Sequence, residues 1–361
     1  MSNIMNVKDT QTGRTEQIDF YNNTRTFTND DGRVVTMDIS PSDVHVDQAL
    51  PNAAFGYKLA GGVADEVCPI VPVPKASDKY FIWDKYDAFQ QATNPVIADG
   101  AQPSEISPRL STSAYSTTPY ALQAFVSTEL EANADSPLRP RAMATQRLVN
   151  ALLLAREARV AALLTTQGNY SAGYYAAATA QWNGGATSDP VADIEARMEA
   201  ALMPITAVVM SRRVYHAFSR NSAVQKFIAF KDSVPGLPSP EQFTSNNALL
   251  QLPRIIVSDM KGLSNTTGTI DYVWGNNVAL IHAPPGGIPA DGQDVASAYT
   301  FRWQDGALIA DGSALPGGFF VRSYFDQRRG GRGGTTIVVG HNDAEVMTSS
   351  LVSGLITGCY A

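Results

Sequence analysis

Leu148, Leu152 or Leu153, Arg156, Val160, and Leu163 or Leu164 follow one another at intervals of three and four residues, the spacing that lines one face of a helix. The pattern predicts a helix over 136–166, capped by Asp135 or Ser136, with Pro137 in its first turn where a missing N–H does no harm. At 1.5 Å per residue it is about 45 Å long, a spine for the domain around it. Val160 and Leu163 are expected to pack on the sheet of that same domain.

Upstream, YFIWDKYDAF at 80–89 alternates, with Phe81, Trp83 and Phe89 on one side and Tyr80, Ile82 and Tyr86 on the other. Residues 90–108 hold Pro95, Gly100, Pro103 and Pro108, which is loop chemistry, and 115–127 reads as a returning strand. The expectation is a hairpin arm that leaves the body of the molecule. Its strands carry Phe81, Trp83, Phe89, Tyr115 and Phe125, too much aromatic surface to leave in water.

Downstream, a helix starts at Ser188-Asp189-Pro190 and buries Val191, Ile194, Met198 and Leu202. A strand at 205–210 and a short helix capped by Ser211 follow, and another helix starts at Ser239-Pro240-Glu241-Gln242 with the spacing of a capping box. Strands at 254–257, 272–274 with 278–281, and 299–303 complete a mixed module. A last pair, 319–327 and 335–341, is joined by Arg328-Arg329-Gly330-Gly331-Arg332-Gly333-Gly334, and 345–357 offers one more strand. At the amino terminus Asn29-Asp30-Asp31-Gly32 predicts a tight turn between 24–28 and 33–37; the rest of the first forty residues reads as an extended arm.

Composition narrows the function. Hydrophobic residues make up 44% of the 361 and charged residues 17%, a balance that suits a chain largely covered by neighbours. A formal charge of −7 disfavours a grip on nucleic-acid phosphates. Cys68 and Cys359 form neither a disulfide framework nor a zinc motif and fit a reducing compartment. No apolar run is long enough to span a bilayer, since Leu148–Leu164 is interrupted by Arg156, Glu157 and Arg159, and the amino terminus lacks a signal-peptide core.

Motifs for catalysis are not found. His45, His216, His282 and His341 lie far apart, and neither a nucleophile elbow nor a Walker A loop is present. The DGQD at Asp291–Asp294 has too few carboxylates for a calcium loop and reads as a loop tip. Asp193, Glu195 and Glu199 read as the solvated face of a helix. The Arg-Gly run at 328–334 resembles an RNA-binding box, but it occurs once and between two strands, so a hairpin turn whose arginines face water or a neighbour's carboxylates is the better reading.

Taken in order, several segments resemble the major capsid proteins of tailed bacteriophages. They are His45–Asn52, Gly56-Tyr57, Val67–Val73 and Lys79-Tyr80, then Trp182 with Ser188-Asp189-Pro190 and Asp193-Ile194, then Val208–Tyr215, Arg254–Val257 and Trp274-Gly275-Asn276. The resemblance runs from about residue 45 to residue 357. It implies an α+β chain with the Hong Kong 97-type capsid fold: an N-arm at 1–60, a connection at 61–77, an extended loop at 78–128, a peripheral domain at 129–203 with the spine helix, an axial domain at 204–318, and terminal strands at 319–361 shared by both. It implies no cofactor, no metal, no membrane and no catalysis.

Its partners would be copies of itself in hexamers and pentamers, a portal, a separate scaffold protein or none, and decoration proteins. The shell would enclose double-stranded DNA without reading its sequence, in a virion assembled in the host cytoplasm. Contacts are expected at Phe81, Trp83, Phe89, Tyr115, Phe125, Arg328, Arg329 and Arg332. The chain departs from the best-known member in lacking a long helical amino-terminal segment. No crosslinking Lys–Asn pair is assignable either, because nothing marks Lys79 or Lys85 as reactive. An encapsulin-like compartment shares the fold, and the Trp182–Ile194 motif favours the phage reading over it. An RNA-binding protein using the Arg-Gly run, and a hydrolase of unfamiliar type, are the readings from other classes.

Overall fold

The Asp-Gly turn signal near the amino terminus produces the predicted hairpin and more. A computed structural model describes residues 61–82, 96, 111–134, 138–184, 187–229, 253–263, 268–283, 296–304 and 319–361, together with four strands between residues 4 and 38. Those strands, β1 (Ile4–Lys8), β2 (Thr15–Asp19), β3 (Thr24–Thr28) and β4 (Val34–Asp38), pair in order as an antiparallel meander. β3 and β4 are the expected hairpin. The neighbouring residues, read as extended arm, instead supply β1 and β2, whose Ile, Val and Thr residues favour a pleated partner.

After the short helix α1 (Ala64–Val67) and β5 (Ile70–Val73) comes the base of the hairpin arm. β6 (Ser77–Ile82) pairs with β7 (Ser111–Ser116) from Ser77 opposite Ser116 to Ile82 opposite Ser111. The returning strand therefore ends at 116, not 127. Thr117 closes the ladder by donating its N–H to Ala76 O at 2.8 Å, and the chain then turns into β8 (Thr118–Ser127), which pairs with residues 334–343 in the body. The reason lies on the inner face of β8, where Ala124 and Val126 pack with buried Ile337 and Val339. Trp83, Phe89 and residues 90–108, apart from Val96, lie outside the described residues, and of Phe81 only the backbone is described.

α2 (Thr128–Ala132) is capped by Ser127, and the spine helix α3 covers Pro140–Thr165. It begins four residues later than expected. Pro140 inside a helix started at 136 would delete an N–H and clash with the preceding turn, whereas as the first helical residue it costs nothing. Asp135, Ser136 and Pro137 lie outside the described residues.

Downstream follow β9 (Tyr175–Ala177), α4 (Pro190–Ala200), β10 (Ala207–Ser211), α5 (Arg212–Arg220) and α6 (Ser222–Ala229). Ser211 caps α5 as read from the sequence, and α4 starts at the expected Ser188-Asp189-Pro190 with Asp189 as its cap. Then come β11 (Arg254–Ser258), β12 (Lys261–Leu263), β13 (Ile270–Tyr272), β14 (Val278–Ile281), β15 (Ala298–Trp303), β16 (Phe319–Asp326), β17 (Gly334–Met347) and β18 (Gly354–Thr357). The helix expected from Ser239 lies outside the described residues.

Two five-stranded assemblies form the body. One runs β16-β17-β15-β5, with β8 also paired to β17; the other runs β11-β10-β14-β18-β9. β15 was expected in the second module but pairs in parallel with β5 and antiparallel with β17, so it belongs to the first. The segment 345–357 divides: residues to Met347 extend β17, and β18 inserts beside β14, with Ser349 bending the chain between them.

The spine helix serves both assemblies. Leu148, Val149 and Leu152 pack with Val126, Val321, Ile337 and Val339 of the first. Val160, Ala161 and Leu164 pack with Ala207, Val209, Ala279 and Ile281 of the second. The predicted stripe is thus buried, but Val160 faces the second sheet rather than the first. At 26 residues the helix is about 39 Å long, enough to span both. Each fully buried Leu or Val contributes about 1.5–3 kcal/mol, so both grips are substantial.

Candidate assembly surfaces and the joint beneath them

The turn between β16 and β17 is built by glycine. Gly330 and Gly333 adopt φ of 75° and 74°, and the ladder resumes with Asp326 opposite Gly334. A side chain at Gly334 would place its Cβ 2.6 Å from the Phe125 ring, which lies across that position. The Arg329 guanidinium sits 4.8 Å from the centre of the same ring, and Arg328 N–H donates to Asp326 Oδ1 at 2.9 Å. Thr128 ties α2 to the turn by donating its N–H and hydroxyl to Gly333 O, both at 3.1 Å. Arg328, Arg329 and Arg332 are exposed and, among the described residues, none forms an ion pair. Tyr324 and Phe325, 45% and 56% exposed, extend the patch with aromatic surface.

Of the expected contact residues, the structure gathers Phe125, Arg328, Arg329 and Arg332 at this end of the sheet. Tyr115 lies elsewhere. It is buried within the chain, stacked on Phe301 with centroids 4.6 Å apart, and donates its hydroxyl to Lys75 O. Its surface is covered by its own subunit, because the base of the hairpin lies where Tyr115 can pack on Phe301 of β15.

Beneath the surface lies a cluster that the sequence reading left unassigned. Arg302 donates from Nε and Nη2 to the two oxygens of Asp343 at 2.6 and 2.7 Å, and all of these groups are buried. His341 Nε2 stands 3.2 Å from Asp343 Oδ2. From the spine helix, Arg156 reaches Asp65, Cys68 O and Thr300, with its Nε 3.9 Å from Asp343 Oδ2. Arg159 pairs with Glu345 at 2.8 Å and lies 3.7 Å over the Tyr120 ring. One position along, Glu157 accepts from the N–H groups of Val63 and Ala64 and from Trp274 Nε1 at 2.7 Å. Helix, first sheet, second module and the segment entering α1 therefore meet at one polar joint.

Burial pushes His341 down to about 4, and the three arginines add to this against the pull of Asp343. Burial alone would raise the Asp343 carboxyl, but Arg302, helped by His341 and Arg156, outweighs it and holds that carboxyl below its usual range. Burial pushes the Cys68 thiol up to about 12, which makes it inert at neutral pH. The sequence did contain a signal. Arg156 and Glu157 interrupt the apolar stripe, and buried charge demands a partner.

Asp193, read as solvated, instead accepts from Thr179 and from Trp182 Nε1 at 2.9 Å, fixing the loop before α4. The DGQD at 291–294 lies outside the described residues. Among the described residues no group of three or more His, Cys, Asp or Glu is arranged to hold a metal ion, and no helix is long and apolar enough to cross a membrane.

No family model matches the chain. It is similar in structure to a phage-related protein from Bordetella bronchiseptica RB50, with a TM-score of 0.64 and 20% identity over 88% of this chain and 98% of that one. It is also similar to the putative capsid protein of a prophage of E. coli CFT073, with a TM-score of 0.51 and 13% identity over 86% of this chain and 96% of that one. The fold is that of phage capsid subunits. The combination of helices and sheets agrees with the α+β class expected from the sequence. In sequence, 185 residues are 30% identical to the major capsid protein of Pseudomonas phage JBD67, covering 50% of this chain and 59% of that protein's length.

Proposed function

We propose that the chain is the major capsid protein of a tailed phage, a structural and non-enzymatic subunit that assembles with copies of itself into an icosahedral head around double-stranded DNA. The carrying observation is that the capsid fold and the sequence likeness to a phage major capsid protein occur in the same chain. That sequence match favours the phage reading over an encapsulin-like compartment. In this reading the first sheet with the spine helix is the peripheral domain, and the second sheet is the core of the axial domain. The N-arm and the hairpin arm at 78–116 reach neighbours, and a portal and a separate scaffold complete the head. Arg328, Arg329 and Arg332 act at subunit contacts, and so do the aromatic residues Phe81, Trp83 and Phe89.

Sedimentation and negative-stain microscopy of the purified protein test the reading. Closed shells, or hexamers and pentamers, are expected; a protein that stays monomeric at every concentration and salt overturns it. Replacing residues 92–106 with a short Gly-Ser linker tests the arm. The variant should keep its circular dichroism and melting temperature yet fail to close particles. Regular shells from that variant would show that the arm is not a clasp.

A further inference from the structure

α5 presents Arg213, His216 and Arg220 at helical spacing along one side of an open cleft of about 670 Å³. Trp182, Tyr272 and Tyr360 also line it. Arg213 is held by Asp271 and lies 5.3 and 5.6 Å from the centres of the Tyr272 and Tyr360 rings, so that part of the cleft is built and partly neutralised. Arg220 is exposed and has no hydrogen bond or ion pair among the described residues, which leaves a net positive rim.

A complementary group exists on the same chain. Most exposed carboxylates in the described residues already have a partner: Asp65 with Arg156, Glu66 with Arg254, Asp78 with Lys75, Asp259 with Arg212, Asp271 with Arg213; Glu129 lies against the Arg-Gly turn. Glu195 and Glu199 do not. They lie one turn apart on the exposed face of α4, the same spacing as His216 and Arg220 on α5.

We propose that this cleft is a contact site for a second copy of the chain, whose Glu195 and Glu199 enter it and pair with Arg220 and His216. The inference rests on the reading of the chain as a shell subunit and names one contact within it. Carboxylates entering a concave rim lined by tyrosine lose water on both sides, so the pairing selects register as well as adding affinity.

A charge exchange tests it. Arg220→Glu alone, and Glu195→Arg with Glu199→Arg, should each raise the concentration needed for assembly about tenfold, equivalent to about 1.4 kcal/mol. Melting temperatures of the unassembled subunit should stay unchanged, since all three positions are exposed. Combining the two sets should bring assembly back to within about twofold of wild type. No recovery, wild-type assembly by either single set, or recovery of the α4 variant by reversing Arg328, Arg329 and Arg332 instead would overturn the contact. A His216→Cys and Glu199→Cys pair gives a second readout, because native Cys68 and Cys359 are buried. An intermolecular disulfide within assembled protein supports the contact, and its absence counts against it. Regular wild-type shells with indifferent variants would remove this contact alone, whereas a wild type that never assembles would remove both readings.

Discussion

Two groups of arginines sit near opposite ends of β17 and live in different worlds. Arg156 and Arg302 are each 2% exposed and hold carboxylates of their own chain, whereas Arg328, Arg329 and Arg332 project into solvent without a carboxylate among the described residues. A buried guanidinium is tolerable only with hydrogen-bonded countercharge, so the first group fixes the shape of the subunit. An exposed one contributes little to folding and remains available to another molecule. Residue type alone does not separate these roles. The partner does.

The comparison breaks most sharply at Asp343. Asp343→Asn leaves Arg302 and Arg156 buried without their shared anion and should cost about 3–5 kcal/mol. Soluble yield and thermal unfolding check this, and an unchanged melting temperature would mean the joint is not structural. Val160→Asp tests the neighbouring apolar grip. Val160 is 0% exposed against the second sheet, and an unpaired charge there should cost about 3 kcal/mol or more in the same assay.

Acid acts on the same joint in two steps. His341 is held at about 4 in the folded chain against an ordinary 6.5, so the unfolded chain takes up its proton first. Stability is full above about pH 6.5 and falls as pH drops toward about 4, by about 3 kcal/mol in all. Asp343, whose carboxyl is lowered, continues the loss at more acidic pH. The charged groups acting on His341 are Asp343 of β17, Arg302 of β15, and Arg156 and Arg159 of α3. Urea unfolding between pH 7 and 4.5 should show the slope, and His341→Gln should flatten it.

The smallest effect on the isolated subunit is expected at the other end. Changing Arg328, Arg329 and Arg332 together to Ser should leave its melting temperature within about 3 °C, while assembly loses part of its salt dependence. A tight RNA affinity in the wild type that disappears in this variant would reverse the assignment of the turn.

Much of this was legible in sequence. Local signals placed the Ser211 cap, the helix start at Ser188-Asp189-Pro190, the Asp-Gly hairpin and the buried face of the spine helix, because each depends on residues within a few positions of one another. What escaped depended on distant pairing. Residues 118–127 alternate equally well for an arm or for a body sheet, and only Ile337 and Val339, some two hundred positions away, decide between them. Tyr115 was misjudged for the same reason, since Phe301 covers it. Among the proposed contacts, the arginine turn was visible as a glycine-spaced run. The joint was visible only as charges in the wrong stripe, with Asp343 unrecognisable until β17 lay beside the helix.

The spine helix also sets the mechanical compliance of the subunit. A rod of about 39 Å pinned near its middle behaves as a lever: a tilt of about 5° displaces either end by roughly 2 Å. Hydrogen bonds tolerate only a few tenths of an ångström, so Glu157 cannot keep its three donors through such a tilt. Load applied to one sheet is therefore delivered to the other almost undiminished. In the proposed shell, any change of curvature between neighbouring subunits has to be taken up outside this rod.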